Sequence, residues 1–299
     1  MRLAITGATG FVGSTLLRLA LAEGHPVRAL TRRGGTDRPG LTWVPGALDD
    51  RASLDALVAG SDAVIHVAGV VNAPDRAGFD AGNVTGTAAI LAAAQAAGVS
   101  RFVHVSSLSA REPALSDYGA SKAGAEALVA ESGLDWTIVR PPAIFGPGDR
   151  EMLDLFRAAK LGMVPLPPGG RLSVIEVSDL ARLLLALAAP GVESGKIVEP
   201  DDGIAQGWDH RDFARAIGAA VGRRALPLSL PAGVLRAASA IDRAARRGRA
   251  KLTADRVRYF CHPDWVVTVR PDPAIWTPRV ETRAGLKATA DWYRAQGWL

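Results

Sequence analysis

One cysteine, Cys261, stands in the 299 residues, so no internal disulfide framework can form and the chain fits a reducing, cytoplasmic setting. The five histidines are scattered without metal-ligand spacing, and no metal is expected. Long apolar runs are missing as well. Leu183–Ala189 comes nearest to one and reads as a buried helix, so no integral membrane segment is expected. The first strand begins so close to Met1 that no signal peptide is expected. Charge of one sign is also in short supply: 35 Lys and Arg against 30 Asp and Glu leave +5. That excess is too small to call for nucleic acid and suits an anionic small molecule equally well. Much of it lies between Arg236 and Arg258, where Arg243, Arg246, Arg247, Arg249 and Lys251 crowd a helix and the turn after it. This cluster reads as a solvated helix face, with a phosphorylated ligand or an acidic membrane surface as the alternatives. There is no internal repeat.

What the chain does have is Thr6-Gly-Ala-Thr-Gly-Phe-Val-Gly13, which joins an apolar run ending at Ile5 directly to a helical pattern starting near Phe11. Gly7 permits a tight turn, Gly10 lets backbone approach a pyrophosphate, and Gly13 lets helix and strand pack closely. The helix then presents its amino end to an anion, and a dinucleotide is expected there, against Gly7, Thr9, Gly10, Phe11 and Val12. Leu16, Leu17, Leu19, Ala20 and Leu21 give the helix an apolar face, Gly24 ends it, and Val27–Leu30 reads as the second strand. NAD-preferring sites carry an acid near the end of that strand; here Thr31, Arg32 and Arg33 stand instead. A guanidinium can grip a 2′-phosphate with paired charge-assisted hydrogen bonds, so NADP is the expected cofactor and NAD the alternative.

Further strand-like runs, Leu41–Val44, Ala63–Val67, Arg101–Val105 and Trp136–Val139, alternate with alanine-rich helices near Ser53–Ala59, Asn83–Ala97 and Ser121–Ser132. This is the pattern of an α/β, Rossmann-type, doubly wound parallel sheet. Residues 1–150 read as the dinucleotide-binding core. Residues 151–299 read as a smaller, mostly helical substrate-binding part, with Lys196–Val198 among the segments returning to the core. The tryptophans of this part read as packing anchors, and the tail from Asp291 closes on a short helix.

Tyr118 and Lys122 sit four apart at the start of a helix, on one face and one turn apart. A free phenol has a pKa near 10, but a neighbouring ammonium favours the phenolate, so Tyr118 becomes able to exchange a proton with a substrate oxygen. Ser107 lies just past the strand Arg101–Val105, where its hydroxyl could bond the same oxygen; Ser106 and Ser109 compete for that part.

Taken together, Thr6–Gly13, His66-Val-Ala-Gly69, Asn83, Ser106-Ser107, Tyr118-Gly-Ala-Ser-Lys122 and Arg140–Asp149 make the chain resemble the short-chain dehydrogenase/reductase superfamily, in its extended or atypical, epimerase/dehydratase-like branch. The resemblance implies that Ser107, Tyr118 and Lys122 are catalytic and that Lys122 also bonds the nicotinamide ribose. It further implies that Ala68 and Gly69 line the cofactor, that Pro141 and Ile144 contact its nicotinamide end, and that Asn83 is structural. Two departures stand out. Gly46-Ala47 lacks the aspartate that often follows the third strand, with Asp49-Asp50 two residues later, and only ten residues separate Ser107 from Tyr118. The implied activity is an NADP-dependent oxidoreductase that reduces a carbonyl or oxidises the corresponding alcohol. An NAD-dependent nucleotide-sugar epimerase or dehydratase, or a non-catalytic dinucleotide-binding sensor, is the alternative. The expected partner is a small-molecule substrate, and any self-assembly is taken as a homodimer.

Overall fold

Four consecutive buried residues, Leu3–Thr6, form strand β1, and their lack of polar alternation marks a strand covered on both faces. In the computed structural model, which describes residues 1–246 and 253–299, β1 lies at the centre of a seven-stranded sheet. Arg247, Arg249 and Lys251 of the basic cluster lie outside the described residues.

The chain divides into two compact units. The first comprises Met1–Pro141, Ser178–Glu199 and Val269–Thr277, and the second Pro142–Val177, Pro200–Thr268 and Pro278–Leu299.

In the first unit, β1 is followed by α1 (Phe11–Ala22), β2 (Val27–Thr31), β3 (Leu41–Pro45), α2 (Arg51–Val58), β4 (Ala63–His66), α3 (Arg76–Asp80), α4 (Gly86–Ala96), β5 (Arg101–Val105), α5 (Asp117–Ala130) and β6 (Asp135–Val139). All strands are parallel, in the order Lys196–Val198, β6, β5, β4, β1, β2, β3. The returning strand Lys196–Val198 is thus the edge beside β6. The order reverses between β1 and β4, whose carboxyl ends meet at the Thr6–His66 pair, and ligands of such sheets bind at that reversal. Ala4, Leu54, Val64, Ile90 and Phe102 form part of the core beneath it.

Arg101, 1% exposed, ties the returning segment to the sheet. Its guanidinium donates to the carbonyls of Leu187 and Val192, to Thr137 Oγ1 and to the Asp135 carboxylate. Burial pulls its pKa down while Asp135 opposes the change; full use of its donors is what makes so deep a charge tolerable.

Two helix boundaries differ from the sequence expectation. α5 begins at Asp117, four residues ahead of Ser121, because Ser116 Oγ accepts the Gly119 N–H and caps it. The segment expected as one helix from Asn83 starts instead as a π-helical turn, Ala81–Thr85, before α4.

The second unit pairs short strands: Ala143–Phe145 with Val174–Glu176, Met163–Leu166 with Leu226–Ser229, and Arg171–Leu172 with both Trp208–Asp209 and Asp264–Trp265. Phe145, Phe156, Ile217, Leu286 and Tyr293 anchor its core. Trp208 and Trp265 are buried packing anchors whose indole N–H groups reach Asp202 and the Tyr259 carbonyl. The tail helix runs from Thr282 to Ala295 and so starts well before Asp291, because the Glu281 carboxylate caps the Arg283 and Ala284 N–H groups.

Candidate active site

The glycine turn after β1 is built from close approaches. Gly7 has φ +71°, and a Cβ there would lie 2.6 Å from the Ala68 nitrogen; at Gly13 a Cβ would lie 2.1 Å from the Gly7 carbonyl oxygen. Neither position can carry a side chain without moving backbone. Gly10 differs: its N–H bonds the Gly7 carbonyl at 2.9 Å, and that oxygen is the one atom near a Cβ added there. Its outer side is open, and Thr9 and Gly10 are exposed. α1 has no side-chain cap and no acid in its first turn, where Phe11 and Val12 sit half-buried. Uncapped N–H groups at an exposed helix start suit an anion, so this turn fits a pyrophosphate.

Polar ties hold the ends of β1 and β4 together. Thr6 Oγ1 lies 2.7 Å from His66 Nδ1 and accepts the Ala68 N–H at 3.1 Å; His66 Nε2 lies 3.1 Å from Thr87 Oγ1. Complete burial, reinforced by the charge of Lys122, lowers the His66 pKa to about 3, so the ring is neutral. In register on β5, His104 stacks on it at 5.4 Å, and neither ring nitrogen of His104 has a hydrogen-bond partner among the described residues. Burial, Lys122 and His66 hold that ring neutral too.

Asn83 is the staple of the site. Its Oδ1 accepts the Val70 N–H at 2.7 Å, while Nδ2 donates to the Val70 carbonyl and to Ser121 Oγ at 2.9 Å. One buried amide therefore fixes the Ala68–Val70 loop against the helix that carries Tyr118 and Lys122.

The three candidate serines separate by direction. Ser106 is buried and donates to the Glu126 carboxylate, which also pairs with Arg140 at 2.6 Å; Arg140 lies 3.7 Å from Glu199 in turn. Ser109, also buried, donates its hydroxyl to Ser107 Oγ at 2.9 Å, and its N–H reaches the same oxygen at 3.2 Å. Ser107 accepts both and keeps its own O–H for a further partner. It is half-buried at the carboxyl end of β5.

Lys122 is buried, and its Nζ donates to the Val105 carbonyl at 2.7 Å. A Cβ at Gly69 would lie 3.5 Å from that nitrogen, so the ammonium sits directly behind the exposed Gly69. Burial lowers its pKa to about 8, against the opposing pull of Glu126. Tyr118, one turn earlier on α5, is half-buried with its ring 5.9 Å from that of Phe79.

Arg32 and Arg33 are exposed at the end of β2, where Thr31 Oγ1 accepts the Arg33 N–H at 3.3 Å. The Pro141 carbonyl accepts the Leu108 N–H at 2.9 Å and so braces the loop that carries Ser107. Ile144 lies on the strand Ala143–Phe145 of the second unit. Asp50, one of the two acids after Gly46-Ala47, caps α2 through the Ala52 and Ser53 N–H groups. Sequence reasoning overlooked His104 and the Glu126–Arg140 pair as supports, and weighed Ser109 only as a rival of Ser107. The in-register histidines of β4 and β5 were the available signal for the first of these. Among the described residues no group of His, Cys, Asp or Glu could hold a metal ion, and no helix is long and apolar enough to cross a membrane.

Residues 7–188 match the family model described as NAD(P)H-binding. The chain is 37% identical to ceramide reductase of Caulobacter vibrioides, across 99% of this chain and 95% of that protein. It is 33% identical to the 4-hydroxy-2-methyl-3-oxo-4-farnesyl-3,4-dihydroquinoline-1-oxide ketoreductase of Stigmatella aurantiaca, across 64% of this chain and 66% of that one. Its fold matches the Bordetella bronchiseptica enzyme WbmH in complex with NAD+, with a TM-score of 0.74 and 22% identity over 99% of both chains. The chain therefore belongs to the NAD(P)H-binding family and is an NAD(P)-dependent oxidoreductase of the short-chain dehydrogenase/reductase type.

Proposed function

We propose that the protein is an NADPH-dependent ketoreductase whose substrate is a lipophilic ketone of the ceramide class. The observation that carries the chemistry is the buried Lys122 ammonium behind Gly69, on the same helix face as Tyr118, with the Ser107 hydroxyl at the end of β5. The substrate class is suggested by the near full-length likeness to ceramide reductase and the shorter likeness to a ketoreductase acting on a farnesyl-bearing ketone.

A reduced nicotinamide bound here supplies a hydride to the carbonyl carbon. The chain's residues do the rest. Ser107 donates its O–H to the carbonyl oxygen and polarises it, and Tyr118 gives that oxygen a proton, leaving a phenolate that is reprotonated from water. Lys122 favours that phenolate by its charge, and its place behind Gly69 lets it hold the nicotinamide ribose. Arg32, with Arg33, takes the 2′-phosphate of NADPH; both are exposed and no acid stands beside them in sequence.

The test is NADPH oxidation by purified protein with a ketone of the ceramide class. Tyr118→Phe is expected to lower kcat by about 10²–10⁴-fold and to leave dinucleotide affinity unchanged, because only the proton donor is lost. Turnover of the variant at the wild-type rate would overturn the acid–base assignment. Equal affinity of the wild type for NADPH and NADH would overturn the phosphate site.

A further inference from the structure

In the second unit, strand Met163–Leu166 turns Met163 and Pro165 outward and Val164 and Leu166 inward. Its parallel partner places Leu226 beside Met163 and Leu228 beside Pro165. Residues aligned across a ladder share a face, so the outward side of this small sheet is apolar at all four positions. Leu226 is 61% exposed, and Leu161, just before the first strand, is 85% exposed. A solvated sheet face is ordinarily polar.

The border of this face is cationic. The Leu226 N–H donates to the Gly162 carbonyl at 2.8 Å, which sets the turn after Lys160 beside Arg223-Arg224. Lys160, Arg223 and Arg224 are all exposed, and none has an acidic partner among the described residues. No Asp or Glu occurs between Asp212 and Asp242, an interval that also holds Arg236. The helix that follows, Ala232–Arg246, repeats the inversion: Val234 and Ile241, seven apart and so on one side, are exposed, whereas Ser239 is buried.

From this geometry we infer that the face docks on an anionic phospholipid bilayer. Leu161, Met163, Leu226 and Leu228 enter the boundary between headgroups and acyl chains while Lys160, Arg223 and Arg224 meet lipid phosphates. Charge complementarity selects this occupant. A second copy of the chain docked on the same patch would set these cations against their own symmetry mates, whereas an anionic membrane satisfies the apolar centre and the cationic border together. The inference rests on the surface of the second unit alone and does not depend on the ketoreductase reading.

The experiment is sedimentation of the full chain with vesicles of phosphatidylcholine, with or without phosphatidylglycerol, in the absence of dinucleotide and ketone. Binding is expected only to the phosphatidylglycerol vesicles and should weaken as salt is added. Leu226→Ser with Leu228→Ser, and separately Arg223→Glu with Arg224→Glu, should each lower partitioning roughly tenfold or more. NADPH affinity and circular dichroism serve as checks that both variants are folded. Absence of vesicle binding by the wild type overturns the inference, as does binding that neither pair of substitutions changes. A wild-type dimer that Leu226→Ser with Leu228→Ser converts to a monomer, with vesicle binding unaltered, overturns it in favour of self-association.

Discussion

The two units treat water differently. Both bury charge, Asp149, Glu176 and Asp201 in the second, but the first buries more: Lys122, Glu126, Arg101, Glu199 and two neutral histidines lie inside it, each except His104 with hydrogen-bond or ion-pair partners. The second exposes oil: of the eleven exposed large apolar side chains among the described residues, eight belong to it, although it is the smaller unit. Buried polar groups cost free energy unless paired, and large exposed apolar surface persists where something covers it. The proposed chemistry draws on the first of these properties and the proposed docking face on the second.

The largest effect that can break this division is expected at the glycine turn. Gly13→Val drives a branched side chain toward the Gly7 carbonyl, which a Cβ alone would approach to 2.1 Å. Dinucleotide affinity should fall by roughly a hundredfold or more, measured by calorimetric titration, while vesicle binding should survive. Loss of both together would show that the division of labour is wrong.

A change of cofactor preference should come next. On the proposed NADPH site, Arg32→Asp removes the cation assigned to the 2′-phosphate and adds a like charge, so the ratio of NADPH to NADH affinity should drop by about 10–100-fold. Parallel titrations of both cofactors read this directly, and an unchanged ratio would move the phosphate site elsewhere.

Lys122 sharpens the comparison through stability. A folded-state pKa of about 8 against 10.5 for the free side chain corresponds to about 3 kcal/mol of destabilisation in the range where both states are protonated. The unfolded chain binds more protons between those two values. Stability should therefore rise with pH from about 8 to 10.5, and the cost should be present in full below that window. Lys122→Met at pH 7 should raise stability by about 1–2 kcal/mol once the loss of the bond to Val105 is counted, while turnover collapses. Denaturant melts at several pH values test both slope and sign. A destabilised variant would mean that the ammonium is held at a profit.

The smallest effect belongs to the second unit. Leu226→Ser should change stability by no more than about 0.5 kcal/mol, because that side chain already faces water. A markedly larger change in a chemical melt would mean that the residue is packed against something, and the contrast between the units would blur.

How much of this was legible beforehand followed the range of the interactions. The turn from Thr6 to Gly13 is local, so residue type and spacing dictated it, and the parallel α/β order followed from alternating runs. Lys196–Val198 was readable as a returning strand, but its place at the sheet edge beside β6 was not. Local polar chemistry was harder: the α5 start was read near Ser121 from the run of residues and at Tyr118 from the Tyr–Lys spacing, because Ser116 resembles any loop serine until its hydroxyl is seen on the Gly119 N–H. The choice among Ser106, Ser107 and Ser109 needed Glu126, twenty residues past Ser106, to occupy the first of them. Asn83 could be named as structural, but its two targets lie 13 and 38 residues away and only the folded chain brings them together. Ile144 came with Pro141 from the resemblance, and nothing in the sequence signalled that the chain passes from the first unit to the second between them.

Arg101 also governs how the protein can be taken apart. The acceptors of its guanidinium include the carbonyls of Leu187 and Val192, far along the chain from β5. A fragment ended near residue 150 would keep the glycine turn and the tyrosine helix but lose those carbonyls and the edge strand. The guanidinium would keep Asp135 and Thr137 but lose its other acceptors, beside an open sheet margin ready to pair with another chain. Genetic dissection of the dinucleotide-binding half should therefore carry residues 178–199 along, either joined by a short linker or supplied as a complementing peptide.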